Sequence, residues 1–257
     1  GRIKEKDESV PTFRNGYFYY TKTEAGKQYF KYYRKKGNLN AAEELLLDVD
    51  QLAEGKSYYS ASGFSISPDN SKLIYGVDDV SRRQYKLFLK DLKTGKTTDL
   101  GIKNTSGYAV WANDNKTIFY TAKNAETLLS EKIVRHTIGT DASKDVVVYH
   151  EKDNTNYIGV SKSKNGQYIM IDSGSTTSSE TRYIKSDEPN AEFKVFQTRI
   201  PNVLYEVTPL EDKFLVNTNK DALNFKIVET PLNKTSVENW KDYIPHRADV
   251  LMQGVDE

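Results

Sequence analysis

Asn15-Gly16-Tyr17-Phe18-Tyr19-Tyr20 couples a tight polar turn to four aromatic residues in a row, and the same pairing recurs four more times along the chain. Asp69-Asn70 leads into Leu73-Ile74-Tyr75, and Asp114-Asn115 into Ile118-Phe119-Tyr120. Asn165-Gly166 leads into Tyr168-Ile169-Met170-Ile171, and Glu211-Asp212 into Phe214-Leu215-Val216. Asn and Gly accept the positive φ that a two-residue hairpin turn demands, and the apolar run that follows suits a strand buried on both faces. The turns begin at 15, 69, 114, 165 and 211, at intervals of 54, 45, 51 and 46 residues. Units of that length hold four short strands each, and four-stranded units repeated about an axis are propeller blades.

Each unit contains the other strands a blade needs. Ahead of the turn lies a segment of small or aromatic residues: Ser60-Ala61-Ser62-Gly63-Phe64-Ser65-Ile66, Gly107-Tyr108-Ala109-Val110-Trp111, Tyr157-Ile158-Gly159-Val160 and Val203-Leu204-Tyr205-Glu206-Val207. Innermost strands converge on the axis, where small side chains fit. After the turn strand comes an alternating one, with Tyr85, Leu87 and Leu89 set against Lys86, Phe88 and Lys90, and Phe225 and Ile227 against Lys226 and Val228. Period-two alternation means strand. Outer strands follow at 45–47, 97–100, 146–149 and 193–196. Helical patterning is confined to 49–55 and 125–130, each long enough for a turn or two only.

The sequence therefore predicts an all-β fold, a β-propeller of four-stranded antiparallel blades. About five blades are expected, at 12–56, 57–102, 103–152, 153–198 and 199–244, with the start of another at 245–257. Five units close a small ring or form an arc of a larger one, and the spacing admits both.

Composition points the same way, with 12% aromatic residues, 18 of them Tyr, against 2 Met and 2 Trp. A balance of 37 Lys and Arg against 36 Asp and Glu leaves a formal charge of +1, too little to draw in nucleic acid or an anionic membrane, and neither is expected as a partner. The densest basic run, Arg34-Lys35-Lys36, abuts Gly37-Asn38 and reads as the solvated end of a hairpin. With no Cys there is no disulfide, thiolate nucleophile or thiolate metal site. No stretch approaches the roughly 18 apolar residues of a membrane span, and residues 1–10 are mostly charged rather than a leader. The chain is expected to be soluble, and because it does not start with Met, sequence is expected ahead of Gly1.

Tests for chemistry come out negative. A Gly-x-Ser-x-Gly nucleophile elbow needs glycines four apart, and none of the 15 glycines are; nor are any two apart, as a dinucleotide loop needs, or five apart, as a P-loop needs. His136, His150 and His246 are too dispersed for a metal site, and His150-Glu151 lacks the second zincin histidine because position 154 is Asn. The carboxylate pairs Asp78-Asp79, Glu43-Glu44 and Asp48 with Asp50 lack the regular oxygen spacing of a calcium loop and read as solvated loop charges. The aromatic cluster of 17–20 with Tyr29, Phe30, Tyr32 and Tyr33 reads as blade packing rather than a base-stacking platform. Asn104, Asn115 and Asn233 head glycosylation triplets without any secretory context. No catalytic, cofactor-binding or metal-ligating residue is nominated, and no cofactor is expected.

Short ordered matches carry a resemblance. Gly1-Arg2-Ile3-Lys4-Glu5 with Ser9-Val10-Pro11 resembles the lead into the propeller of the oligopeptidase B (protease II) branch of the prolyl oligopeptidase family. Gly26-Lys27-Gln28-Tyr29, Leu46-Leu47-Asp48-Val49-Asp50, Leu52-Ala53-Glu54-Gly55 and Ser67-Pro68-Asp69 continue it. Arg135-His136 with Ile138-Gly139-Thr140, and Ile244-Pro245-His246-Arg247 with Asp249-Val250-Leu251, complete it, while the match weakens around Val203-Leu204-Tyr205-Glu206.

That resemblance implies a parent serine peptidase in which a seven-bladed propeller caps an α/β-hydrolase domain, cleaving short peptides after Lys or Arg with a Ser, Asp and His triad. The chain is then expected to be the N-terminal propeller domain, five blades of seven, inactive alone, with the hydrolase domain and, through it, peptide substrates as partners. The expected compartment is the cytoplasm, with the periplasm as the alternative. Exposed blade faces at the ends of an open arc are expected to favour self-association. Two further readings stand beside this one: a free-standing propeller that binds proteins at its rim, and a propeller glycosidase, which requires carboxylates converging at the axis.

Overall fold

The structure, a computed structural model, describes residues 7–255. It contains five antiparallel sheets in chain order. Blade 1 comprises β1 (Asp7–Glu8), β2 (Thr12–Arg14), β3 (Tyr17–Thr23), β4 (Phe30–Lys36) and β5 (Glu43–Asp48). Blade 2 comprises β6 (Ser60–Ile66), β7 (Lys72–Asp78), β8 (Lys86–Asp91) and β9 (Thr97–Asp99). Blade 3 is β10 (Thr105–Trp111), β11 (Thr117–Lys123), β12 (Ser130–Thr137) and β13 (Val146–His150). Blade 4 is β14 (Tyr157–Lys162), β15 (Tyr168–Gly174), β16 (Ser179–Lys185) and β17 (Lys194–Val195). Blade 5 is β18 (Tyr205–Pro209), β19 (Lys213–Thr218), β20 (Lys226–Pro231) and β21 (Lys241–Ile244). In blades 2 to 5 each strand pairs with the next in sequence, and in blade 1 the short β1 and β2 share the inner edge of β3. The all-β propeller expectation is met.

The second strand of each blade explains why its sequence is apolar without a gap. Tyr19 and Tyr32 of blade 1 pack with Leu73 and Tyr75 of blade 2, while Ile74 of the same strand turns the other way, to Trp111, Ile118 and Tyr120 of blade 3. Phe119 and Ile133 then meet Ile169 and Ile171 of blade 4, and Tyr168 and Met170 meet Phe214 and Val216 of blade 5. Alternate residues of one strand thus feed the cores on its two sides. The hydrophobic core is four separate layers, one at each junction between blades.

Close approach of backbones sets the junction of blades 2 and 3 near the axis. A Cβ on Gly63 would lie 2.0 Å from the main-chain oxygen of Gly107, and one on Gly76 would lie 2.3 Å from it. Gly63 has φ +67° and Gly107 φ +96°, and the pairing registers of β6 and β10 slip around them as bulges. Trp111 Nε1 donates across the same junction to the Ser65 carbonyl at 3.1 Å.

Two local expectations fail. Arg34 is not solvated: it is buried, its Nε donates to Glu44 Oε2 at 2.6 Å and its Nη1 to the Asn70 carbonyl at 2.9 Å, and its guanidinium lies 4.1 Å from the Tyr17 ring centroid. Alternation on β4 sends Arg34, with Tyr32, into the junction with blade 2, while Lys36 on the same face is exposed because the strand ends there. Residues 125–130 form no helix, because the Asn124 side chain accepts from the N–H groups of Glu126 and Thr127, closing an Asx turn before β12 starts at Ser130. The helix at 49–55 is present as α1 (Val49–Ala53), capped by Asp48 Oδ1, which accepts from the Gln51 N–H at 3.1 Å.

The outward face of blade 1 is covered by no other blade among the described residues. Tyr20 and Tyr33 stack there at 5.6 Å under the ammonium groups of Lys22 and Lys35, and Phe13 and Leu45 stand open to solvent. At the other end the chain beyond β21 turns back, so that Met252 N–H donates to the Asn224 carbonyl at 2.9 Å. No strand forms between 245 and 255. Among the described residues no helix is long and apolar enough to cross a membrane.

Candidate functional site: the axial mouth

The recurring hairpin turns that begin at Asn15, Asp69, Asp114 and Asn165 gather around one end of the propeller axis. Asn15 and Gly16 have φ +46° and +86°, Asn70 +62°, Asn115 +58° and Gly166 +71°. Asn tolerates this region because its short amide finds local partners. Asp69 Oδ1 accepts from the hydroxyl of Ser67 at 2.6 Å and from the N–H of Ser71 at 3.0 Å, and Asn165 Oδ1 repeats the pattern with Ser163 and Gln167.

The side-chain amides of these turns also reach the next blade. Asn15 Nδ2 donates to the Pro68 carbonyl at 2.8 Å, and Asn70 Nδ2 returns a bond to the Asn15 carbonyl at 3.2 Å. The Asp69 N–H donates to Asn115 Oδ1 at 2.8 Å. Asn113 Nδ2 donates to the Gly166 carbonyl at 3.3 Å and to Asp187 Oδ1 at 2.7 Å, and Asn165 Nδ2 to the Pro209 carbonyl at 3.2 Å. A belt of amide bonds therefore ties turn to turn across all five blades.

Inside the belt lies a cavity of about 510 Å³, lined by residues of blades 1 to 4. Its aromatic wall is Tyr19 and Phe64, its amides are Asn15, Asn70, Asn113 and Asn165, and its charges are Arg14, Lys162 and Lys164. Lys162 Nζ donates to Asn113 Oδ1 at 2.6 Å, and burial pulls its ammonium below the usual lysine range, with the Asp187 carboxylate opposing. Arg14 lies 5.0 Å from the Tyr19 ring centroid and donates to the Tyr32 hydroxyl at 3.3 Å. The cavity has the size of a pocket for a small molecule or a few peptide residues.

The residues that the sequence singled out for chemistry are scattered away from this mouth. Glu43 accepts from the Tyr20 hydroxyl and pairs with Lys22 on the outer face of blade 1, while Glu44 holds Arg34 on the inner face. Asp48 caps α1, and Asp50 Oδ1 accepts from the Tyr29 N–H at 2.9 Å. Asp78 is buried and accepts from the N–H groups of Val80 and Arg83, shaping the loop between β7 and β8, where Asp79 pairs with Lys86. These are structural anchors rather than solvated loop charges, and they do not converge at the axis.

His136 is buried, with Nδ1 2.6 Å from Asp145 Oδ1, and Asp145 Oδ2 accepts from the Tyr120 hydroxyl at 2.7 Å. Burial, and then the Asp145 carboxylate, push the Tyr120 phenol above its usual range. This cluster pins β11 and β12 to the start of β13. His150 ends β13 in solvent, and His246 Nε2 accepts from the Asn224 N–H at 3.3 Å. Among the described residues no three His, Asp or Glu side chains gather as a metal site.

Arg14, Lys162 and Lys164 were not singled out in the sequence. The signal available was the return of Asn at 15, 70, 115 and 165, which marks one rim, but the cations sit at different offsets from their turns and share no motif.

Comparison with known proteins agrees with the resemblance first seen in short matches. The family described as the prolyl oligopeptidase N-terminal β-propeller domain matches residues 1–257. Dipeptidyl aminopeptidase BI of Pseudoxanthomonas mexicana is 38% identical over 271 residues, covering 99% of this chain and 37% of that protein. Protease 2 of Moraxella lacunata is 33% identical over 242 residues, covering 91% of this chain and 35% of that protein. The solved structure of oligopeptidase B from Leishmania major superposes with a TM-score of 0.90 at 28% identity, over 98% of this chain and 36% of that one. The chain spans little more than a third of the length of these relatives. With its four-stranded blades and its match along the whole length, the chain belongs to the N-terminal β-propeller domain family of the prolyl oligopeptidases.

Proposed function

We propose that this chain is the substrate-gating propeller of a serine oligopeptidase of the oligopeptidase B type, which cleaves short peptides after Lys or Arg and whose catalytic triad belongs to a hydrolase domain outside these 257 residues. The observation that carries the reading is the axial cavity with its belt of amide bonds, in a chain that spans 37% of a dipeptidyl aminopeptidase and 35% of a protease. A mouth of this size, held to a fixed width by turn-to-turn bonds, admits a flexible peptide and refuses a folded protein. Selection is steric first. The compartment belongs to the same proposal: the cytoplasm, with the periplasm as its alternative, to be decided by fractionation.

The experiment compares this chain with the longer protein that carries a hydrolase domain. The chain alone is expected to leave fluorogenic peptides with Lys or Arg uncleaved, and the longer protein to cleave them while sparing folded proteins. Robust turnover by the chain alone would sink the proposal.

A further inference from the structure

The axial mouth carries more positive charge than its structure uses. Arg14 from blade 1 and Lys162 and Lys164 from blade 4 border one cavity, and among the described residues no Asp or Glu lines it. Among the described residues the ion pairs include none of these three cations. The bond from Lys162 goes to a neutral amide oxygen, and the carboxylate of Asp187 is turned to Asn113 instead. The Asp187 carboxylate behind Asn113 offsets part of the Lys162 charge, and the remaining like charges around the cavity repel one another and focus a positive potential into it. Occupation by an anion removes that repulsion.

We infer that the axial cavity is an anion site that takes the free carboxylate of a short peptide, its terminal carboxylate or an Asp or Glu side chain, between Arg14 and Lys162. The guanidinium of Arg14 has donors left beyond its single bond to Tyr32, and a guanidinium fork matches a carboxylate. The amides of Asn15, Asn70, Asn113 and Asn165 border the same space, where their remaining donor and acceptor capacity meets the main chain of a peptide. Tyr19 and Phe64 supply an apolar wall for its side chains. A bare inorganic anion would use the cations and leave the amides and rings idle. The peptide identity of the ligand rests on the gating reading above; the anionic preference rests on the charges alone.

The test is calorimetric titration of the 257-residue chain at neutral pH and low salt. The probes are an N-acetylated tetrapeptide with a free terminal carboxylate, the same peptide as its amide, and inorganic phosphate. The acid is expected to bind roughly tenfold tighter than the amide, the factor that one charge-assisted hydrogen bond supplies, and to weaken with added salt. R14Q together with K162Q is expected to abolish the difference between acid and amide.

Lys162 also holds Asn113, so Lys164→Glu on the exposed turn gives an independent readout. It is expected to weaken the acid severalfold while leaving thermal unfolding unchanged. Equal binding of acid and amide, an unchanged preference in Lys164→Glu, or binding of phosphate without the peptide acid each overturns the inference. Such a failure is separable from failure of gating, which is read as discrimination against folded proteins by the longer protein.

Discussion

Asn15 donates its side-chain amide to the Pro68 carbonyl at 2.8 Å, joining two hairpin turns that are 53 residues apart in sequence. The same relation runs on through Asp69 to Asn115, Asn113 to Gly166 and Asn165 to Pro209, so the axial mouth is fastened where the inner strands end. Asn113 has the largest share, with bonds to Gly166, Asp187 and Lys162. Asn113→Ala is expected to cost about 1–3 kcal/mol of unfolding free energy by leaving part-buried partners unpaired, measured by urea denaturation. A loss no larger than that of an exposed surface substitution would mean that the belt is ornamental.

Gly63 meets Gly107 across the junction of blades 2 and 3 with no room for a methyl group. Gly63→Ala adds overpacking to a strained φ of +67° and is expected to cost at least about 1–3 kcal/mol, whereas Gly95→Ala, at similar φ in an open turn, carries the backbone strain alone. The difference in melting temperature between the two variants isolates the steric contribution.

Arg34 is held within blade 1 by Glu44 and the Tyr17 ring and reaches blade 2 through its bond to the Asn70 carbonyl. Arg34→Lys keeps the charge but loses the two-pronged contact, and Glu44 is partly open to water, which limits the effect. A loss of about 1–2 kcal/mol is expected, with Arg34→Met costing more because it also orphans the Asn70 carbonyl. Chemical denaturation of the two variants side by side decides the order.

Asp114 shapes the third turn, where Oδ1 accepts from the N–H groups of Lys116 and Thr117 and Oδ2 from the Thr117 hydroxyl. Burial by itself would raise this carboxyl, but those bonds outweigh it and hold the group below its ordinary 3.8. A carboxyl depressed in the folded state stabilises fully above its unfolded pKa and loses that contribution as pH falls through the folded one. Asp114→Asn is therefore expected to be less stable by about 1 kcal/mol at neutral pH, an allowance that includes solvent exposure of the group. The gap should close as pH drops below 3.8, and a gap independent of pH in thermal melts would contradict the account.

Blade 1 turns Phe13 and Leu45 to solvent on the face away from blade 2. The 257-residue chain is expected to self-associate through this face, with light scattering showing mass rising with concentration. Leu45→Lys, on the same face and outside the junction cores, is expected to suppress the rise without loss of fold. A strictly monomeric chain at high concentration would refute the expectation.

Much of this molecule is legible in one dimension. The interval between Asn15, Asp69, Asp114, Asn165 and Glu211, with an apolar run after each turn, is enough to specify four-stranded blades, because turn chemistry and strand periodicity are local properties of the chain. The gapless apolar character of Leu73-Ile74-Tyr75 likewise says that both faces of the strand are buried, and the junction cores show where each face goes. The fate of Arg34 was not legible: a charged side chain in a basic run looks solvated until the adjacent strand supplies Glu44 and the neighbouring blade the Asn70 carbonyl.

The axial site belongs wholly to the tertiary level. Arg14 and Lys162 lie in different blades and share no spacing, and they border one cavity only because each repeat is rotated about a common axis. Repetition of a local pattern determined the blades, whereas the rotation from one blade to the next, set by packing at Gly63, Gly107 and the four junction cores, decided which side chains meet at the centre.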